Sequence, residues 1–274
     1  MLGTFVELSI SGELEKSQLT ECSEIAFDQI KRIDATMSFH REESELSKVN
    51  RSASKIPTQI SNGLSTVLQK AIYFSKLSDG LFDITTASTL VNKGKLPDHG
   101  MKFTNDSNWK NIELEKNMVF FNKPLVIDLG GIAKGYAVDK AFKAVERSRL
   151  NKGGLSKIVV NAGGDLRMWP WEKEKVSIRI PLAPFNNTSD VVMRNGSLAT
   201  SGPYFGGSIV DKKENIASSG PSTSVFSENC IDADALTKIY SISPEFETAE
   251  IEHTALIINS MGVAKWKNDE SYNI

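Results

Sequence analysis

The sequence predicts an α+β fold, a single domain of mixed sheets flanked by helices. It opens on Thr4-Phe5-Val6-Glu7-Leu8-Ser9-Ile10, where apolar and polar residues alternate as in a half-buried strand. Three longer segments carry apolar residues at helical spacing, and short apolar runs of strand length lie around them. At 274 residues the chain is long enough for one large domain or two closely packed lobes, and no composition shift marks a boundary.

After the turn at Ser11-Gly12, residues 17 to 36 read as an amphipathic helix through Leu19, Ile25, Ala26, Ile30 and Ile33. Ser44 caps a short helix over 44–50. Ser61 caps another over 61–78, with Leu64, Val67, Leu68, Ala71, Ile72 and Phe74 on its apolar face and Asp79-Gly80 at its end. The polar stretch 92–108, holding Gly94, Pro97 and Gly100, is a loop. Residues 112–114, 118–121 and 126–129 read as strands, 135–149 as a third helix, and 158–161 as a buried strand. Strands at 176–180 and 191–194 flank a polar turn, and 211–224, rich in Ser, Lys and Gly, reads as a loop. A helix over 232–239 and a strand over 252–259 follow. The domain is expected to span 1–265, with 266–274 a loose polar tail.

Composition excludes several classes. The formal net charge is −2, which does not suggest a nucleic-acid binder or a polybasic membrane anchor. No apolar run is long enough to span a membrane. Met1 to Ile10 lacks the charged start and long apolar stretch of a signal peptide, so the chain is either cytosolic or trimmed of an export signal. Cys22 and Cys230 have no CxxC or zinc spacing and read as buried thiols; a disulfide cannot be read from two such distant positions. His40, His99 and His253 form no Ser-His-Asp series and read as surface or satisfied histidines.

Five segments are candidates for chemistry. In Asp128-Leu129-Gly130-Gly131-Ile132-Ala133-Lys134-Gly135-Tyr136-Ala137-Val138-Asp139 a strand runs into paired glycines and then a helix. Such a helix N-terminus suits a phosphate, and Lys134 adds a charge beside it. Walker and Rossmann spacings are both absent. The segment also reads as a plain strand-to-helix turn with a surface lysine. Asn161-Ala162-Gly163-Gly164-Asp165 places a carboxylate behind two glycines, or is a tight turn. Thr200-Ser201-Gly202-Pro203-Tyr204 offers hydroxyls and an aromatic ring to a ligand, or is a hairpin connection. Asp83, in Gly80-Leu81-Phe82-Asp83, is costly if buried without a partner. Asp234 and Lys238 share one helix face at i,i+4, the spacing of an ordinary exposed pair.

In their order along nearly the whole chain, these segments resemble the ApbE family, together with Gly3-Thr4, Met37-Ser38 and Ser44-Glu45-Leu46-Ser47-Lys48-Val49-Asn50. The DLGGIAKGYAVD stretch is the most specific of them. The resemblance implies an ApbE-like domain with a ligand cleft between two packed lobes. It also implies an FAD:protein FMN transferase, which moves FMN from FAD to a Ser or Thr of an acceptor flavoprotein and releases AMP. The alternative is a degenerate FAD-binding relative that serves as flavin carrier or sensor; a purely structural protein ranks below both. An extracytoplasmic (periplasmic) location and a magnesium ion on the pyrophosphate are implied as well.

By the same resemblance, the main-chain oxygen of Ala133 and the carboxylate of Asp234 align with metal ligands. Thr237 lies beside the position of a metal-binding hydroxyl. Leu81, Phe82 and Asp83 align with a stretch that contacts the flavin or its adenosine, and Gly130, Lys134 and Tyr136 lie on the turn that holds FAD. Leu2 stands where the family has Met in its MGT motif. Three departures follow. Phe39-His40 replaces a small residue and Tyr, so that His40 or Phe39 takes the stacking role. Ser208 occupies the position of a family His, leaving the catalytic residue unassigned. Lys238 replaces a Thr, and its ammonium is expected to compete with a divalent cation for Asp234, unless a shifted helix uses Thr237 and keeps the metal.

Overall fold

The computed structural model describes residues 1–149, 154–181, 188–202, 209–211, 216–218, 221–259 and 261–269. Strand β1 (Val6–Gly12) is followed by α1 (Lys16–Met37), α2 (Glu45–Ser52), β2 (Thr58–Gln59), α3 (Asn62–Leu77) and α4 (Ala87–Asn92). The hairpin of β3 (Ile112–Glu115) and β4 (Met118–Phe121) precedes α5 (Ala133–Arg149). Then come β5 (Leu155–Ala162), β6 (Asp165–Trp169), β7 (Lys175–Arg179), β8 (Thr188–Val192) and β9 (Ser197–Ser201). Strands β10 (Ile209–Asp211), β11 (Ile216–Ser218) and β12 (Ser222–Ser227) lead to α6 (Cys230–Ile242), β13 (His253–Ile258) and β14 (Ala264–Lys267). The α+β expectation is met. The chain divides into two compact units, one of Met1–Arg32, Lys134–Gly207 and Ser219–Ile274, the other of Ile33–Ala133 and Ser208–Ser218.

The first unit is built on an antiparallel sheet in the order β1-β5-β6-β9-β12-β13-β14. Met168, Ile178, Met193, Leu198, Phe226, Leu256 and Ile258 form an apolar cluster joining this sheet to the β7–β8 hairpin. Helix α6 packs on β9 and β12. Strand β12 is therefore buried along its whole length, hydroxyl residues included. Those hydroxyls find partners: Thr200 Oγ1 lies 3.0 Å from Ser224 Oγ, and Ser241 Oγ donates to Thr223 Oγ1 at 3.2 Å. The loop read over 211–224 thus ends in a core strand and also holds β11. The tail boundary at residue 266 falls inside β14, where Trp266 pairs with Leu256 and stacks on Phe226.

In the second unit, β2, β4 and β3 form a small antiparallel sheet. The Ser44 side chain accepts from Ser47 N at 3.0 Å and that of Ser61 from Leu64 N at 3.3 Å, so both helix caps stand where the sequence places them. Leu64, Val67, Leu68, Ala71 and Phe74 are the buried face of α3, while Ile72 is only half-buried. Residues 126–129, read as a strand, join no ladder. Ile127 instead pairs with a side chain: its N–H donates to Asn50 Oδ1 and its carbonyl accepts from Asn50 Nδ2, each at 2.9 Å. Asp128 N donates to Ile84 O at 2.9 Å.

Candidate functional site

The first turn of α5 brings together the chemistry of the first unit. Two glycines permit this. A Cβ on Gly135 would lie 2.3 Å from the carbonyl oxygen of Cys230, so only glycine lets the start of α5 touch the start of α6. Gly163 has φ +64°, and a Cβ there would meet Thr4 Oγ1 at 2.3 Å. The Gly3-Thr4 and Gly163-Gly164 motifs are therefore two halves of one contact. Leu2 and Gly3 turn the chain toward it with φ values of 55° and 69°.

Asp139, one helical turn beyond Gly135, caps the start of α6. Its Oδ1 accepts from Cys230 N and its Oδ2 from Ile231 N, both at 3.0 Å. Arg167 Nη1 donates to Asp139 Oδ1 at 2.5 Å and to Asn229 Oδ1 at 3.2 Å. A carboxylate at a helix N-terminus satisfies orphan N–H groups and meets the positive end of the helix dipole. Asp139 is the last residue of the glycine motif, and local pattern gives it no role. Its partners lie far along the chain, beyond the reach of spacing rules.

Held in this frame, two ammonium groups meet two buried carboxylates. Lys134 Nζ donates to Asp165 Oδ2. Asp165 Oδ1 also receives Thr200 N at 3.4 Å. Asp234 Oδ2 accepts from Gly135 N at 3.0 Å, and its Oδ1 from Lys238 Nζ at 2.6 Å. Lys238 Nζ further donates to Asp234 O at 3.2 Å and to Thr237 Oγ1 at 2.8 Å. Thr237 Oγ1 itself donates to Asp234 O at 2.7 Å. The pair is not an ordinary exposed one: the Asp234 side chain is 0% exposed, and that of Lys238, at 17%, is partly buried.

Burial alone would lower the pKa of Lys134, but Asp165 and Asp234 override it and hold the ammonium above its ordinary range. For Asp234, burial is outweighed by Lys238, Lys134 and the Gly135 N–H, so its carboxyl lies below the usual range. Asp165 is pushed up by burial, with Asp234 adding to the effect and Lys134 and Lys238 opposing it. Asp234 is thus the firmer anion of the two. Burial, followed by the charges of Asp139, Asp165 and Asp234, raises the Cys230 thiol and keeps it protonated.

Among the other predicted site residues, Tyr136 is buried on α5, with Lys140 Nζ 5.1 Å from its ring centre. In the second unit, Asp83 answers the cost of burial by capping a turn. Its Oδ1 accepts from Thr85 N and Thr85 Oγ1 at 2.8 Å each, and its Oδ2 from Trp109 N at 3.4 Å. Phe82 is buried with its ring 6.0 Å from that of Phe74, and Leu81 is half-buried. Phe39 is buried beside His99, whereas His40 is exposed, which leaves His40 the accessible ring of the two. Gly130 is exposed and donates to Asp128 Oδ2 at 3.1 Å; Ala133 begins α5.

Comparison with known proteins places this arrangement. The ApbE family model matches residues 2–255. The chain belongs to the ApbE family. It is 26% identical over 224 residues to the FAD:protein FMN transferase of Haemophilus influenzae, covering 70% of this chain and 61% of that one. It is 25% identical over 226 residues to the enzyme of the same name from Escherichia coli K12, covering 74% and 62%. The chain thus spans about six tenths of the length of these two relatives. Among solved structures, the ApbE protein of Thermotoga maritima superposes with a TM-score of 0.81 at 22% identity, covering 99% of this chain and 96% of that one. The Vibrio cholerae flavin transferase ApbE gives 0.76 at 21% identity, covering 99% and 95%. At these identities the structural likeness establishes a shared fold.

The magnesium ion implied for an ApbE protein needs oxygen ligands at about 2.0–2.1 Å in near-octahedral geometry. In this family member the oxygens of Asp234 and Thr237 already hold the Lys238 ammonium. Asp234 Oδ1 and Thr237 Oγ1, the side-chain oxygens that the magnesium reading would use, both face the Lys238 ammonium here. Ser208, at the family His position, lies outside the described residues, as do Pro203 and Tyr204. Cys22 and Cys230 are both buried thiols, as read from the sequence. No helix among the described residues is long and apolar enough to cross a membrane.

Proposed function

We propose that this chain is an FAD:protein FMN transferase, moving FMN from FAD to a Ser or Thr hydroxyl of an acceptor flavoprotein. Membership of the ApbE family and the names of its curated relatives support the reading. The observation that carries it is the Lys134 ammonium at the first turn of α5, held by buried Asp165 and 27% exposed. A helix N-terminus with a fixed cation suits a diphosphate. In the transfer, the acceptor oxygen bonds to the phosphorus of the FMN half. The bond from that phosphorus to the bridging oxygen breaks, AMP leaves with the oxygen, and the hydroxyl proton passes to the medium. Lys134, at the positive end of α5, stabilises charge on the phosphate oxygens as this happens. Because Asp234 and Thr237 are committed to Lys238, no step is assigned to magnesium.

The test is to incubate the protein with FAD and a flavoprotein acceptor, then resolve nucleotides by chromatography and the acceptor by mass spectrometry. FMN on an acceptor Ser or Thr with an equal amount of AMP supports the reading. FAD retained intact on the protein would instead identify a flavin carrier or sensor. An extracytoplasmic setting belongs to the same proposal and is tested by cell fractionation of the native protein.

A further inference from the structure

The nucleotide-binding reading of the α5 turn leaves open what neutralises Asp234. We infer that the Lys238 ammonium is the resident cation of this site, so that the protein takes a dinucleotide diphosphate without any divalent metal. The inference rests on the proposed FAD site but makes a separate claim about it.

Three observations carry it. First, the ammonium has three N–H groups, and three oxygens receive them: Asp234 Oδ1 at 2.6 Å, Thr237 Oγ1 at 2.8 Å and Asp234 O at 3.2 Å. A metal at Asp234 and Thr237 would compete with Lys238 for two of these oxygens and be repelled by its charge. Second, the remaining carboxylate oxygen, Asp234 Oδ2, is bound to Gly135 N at 3.0 Å, so both oxygens of the carboxylate have protein partners. Third, the Asp234 side chain is 0% exposed, and a carboxylate buried to that degree requires a charge partner at all times. Lys238 supplies that partner one helical turn away on the same helix, whether or not a ligand is present.

The division of labour among the cations follows. With its donors met by protein oxygens, Lys238 is a positioning residue that locks Asp234 onto the amide of Gly135 and so fixes the first turn of α5. Contact with the phosphates falls to Lys134. Two ammonium groups and two carboxylates balance, so the quartet attracts a diphosphate less strongly than a site loaded with a dication. Chelation should therefore change neither the affinity for FAD nor its salt dependence.

The experiment has two arms. In the first, Mn2+ alone is titrated into the wild-type protein and into Lys238→Thr, with free Mn2+ followed by electron paramagnetic resonance. Wild type is expected to bind no Mn2+ saturably, while Lys238→Thr gains a site at least about tenfold tighter than any wild-type binding. In the second, FAD affinity of wild type is measured by flavin fluorescence in EDTA and in saturating Mg2+, and is expected to agree within about twofold. Saturable Mn2+ binding by wild type that Asp234→Asn abolishes would overturn the inference. So would a loss of about tenfold or more in FAD affinity on chelation. The wild-type measurements decide the matter even if Lys238→Thr fails to fold. If no FAD binds under either condition, the transferase reading fails, and the Mn2+ arm still judges Lys238.

Discussion

The side-chain amide of Asn50 pairs with the main chain of Ile127 as a neighbouring strand would, donating to its carbonyl and accepting from its N–H at 2.9 Å each. Both partners are buried, and the segment they anchor runs directly into the glycine turn before α5. Asn50→Ala leaves two buried main-chain groups without partners and should cost about 2–4 kcal/mol of stability, read from urea denaturation. Asn50→Asp should cost more at neutral pH, because a carboxylate then faces the Ile127 carbonyl. It should recover in part as pH falls and the acid becomes a donor. An Asp variant as stable as wild type at pH 7 would show that the pairing is incidental.

Gly135 lies against the Cys230 carbonyl with no space for a methyl group. Gly135→Ala should force α5 away from α6, costing about 1–3 kcal/mol, the usual range for overpacking. The same shift pulls the Gly135 amide from Asp234, so FAD affinity should fall with stability. A fully stable Gly135→Ala protein with unchanged FAD affinity, measured by thermal unfolding and flavin fluorescence, would contradict the close approach.

Lys134 compensates a carboxylate that is 0% exposed. Lys134→Gln should therefore lose about 3–5 kcal/mol, as when one partner of a buried ion pair is removed. Adding Asp165→Asn should restore part of the stability, because the uncompensated charge is gone. FAD affinity should not return with it. Recovery of both in the double variant would mean that Lys134 serves the fold alone.

His253 donates from Nδ1 to Ile251 O and accepts at Nε2 from the Tyr240 hydroxyl, each at 2.7 Å. Burial pushes the Tyr240 phenol up to about 12, which keeps it a donor, and lowers the pKa of His253 despite the Ile251 contact. The imidazole is therefore neutral in the folded protein. Because its folded pKa lies below the unfolded value of about 6.5, the unfolded chain binds the proton first. Stability from this group is present above that value and lost as pH falls through the folded pKa. Urea midpoints of wild type minus those of His253→Gln, measured from neutral to acidic pH, should shrink on acidification. A difference independent of pH would exclude the neutral tautomer.

Much of this was legible in the amino-acid order. The caps at Ser44 and Ser61, the β3–β4 hairpin and the buried face of α3 follow from local patterns, and the structure has them in place. The misread segments share one cause, which is that their partners lie elsewhere in the chain. Residues 126–129 have the composition of a strand, but Asn50 stands where a second strand would. Residues 222–224, Ser-Thr-Ser, have the composition of a loop, yet they begin β12, where α6 and the neighbouring strands bury them and Thr223 and Ser224 find hydroxyl partners. In the site, Asp234 and Lys238 were visible as an i,i+4 pair, although their burial was not. The Lys134–Asp165 and Asp139–Arg167 pairs join motifs that spacing alone cannot connect.

A positive charge carried on a side chain obeys different rules from one supplied by solution. Lys238 is present beside Asp234 at an effective concentration set by its own short aliphatic stem and one turn of helix, not by ion supply. It cannot be diluted, stripped by a competing chelator or exchanged for a wrong metal. Chemistry that removes the charge, such as lysine acetylation, would therefore act on this protein as metal starvation acts on a metalloenzyme.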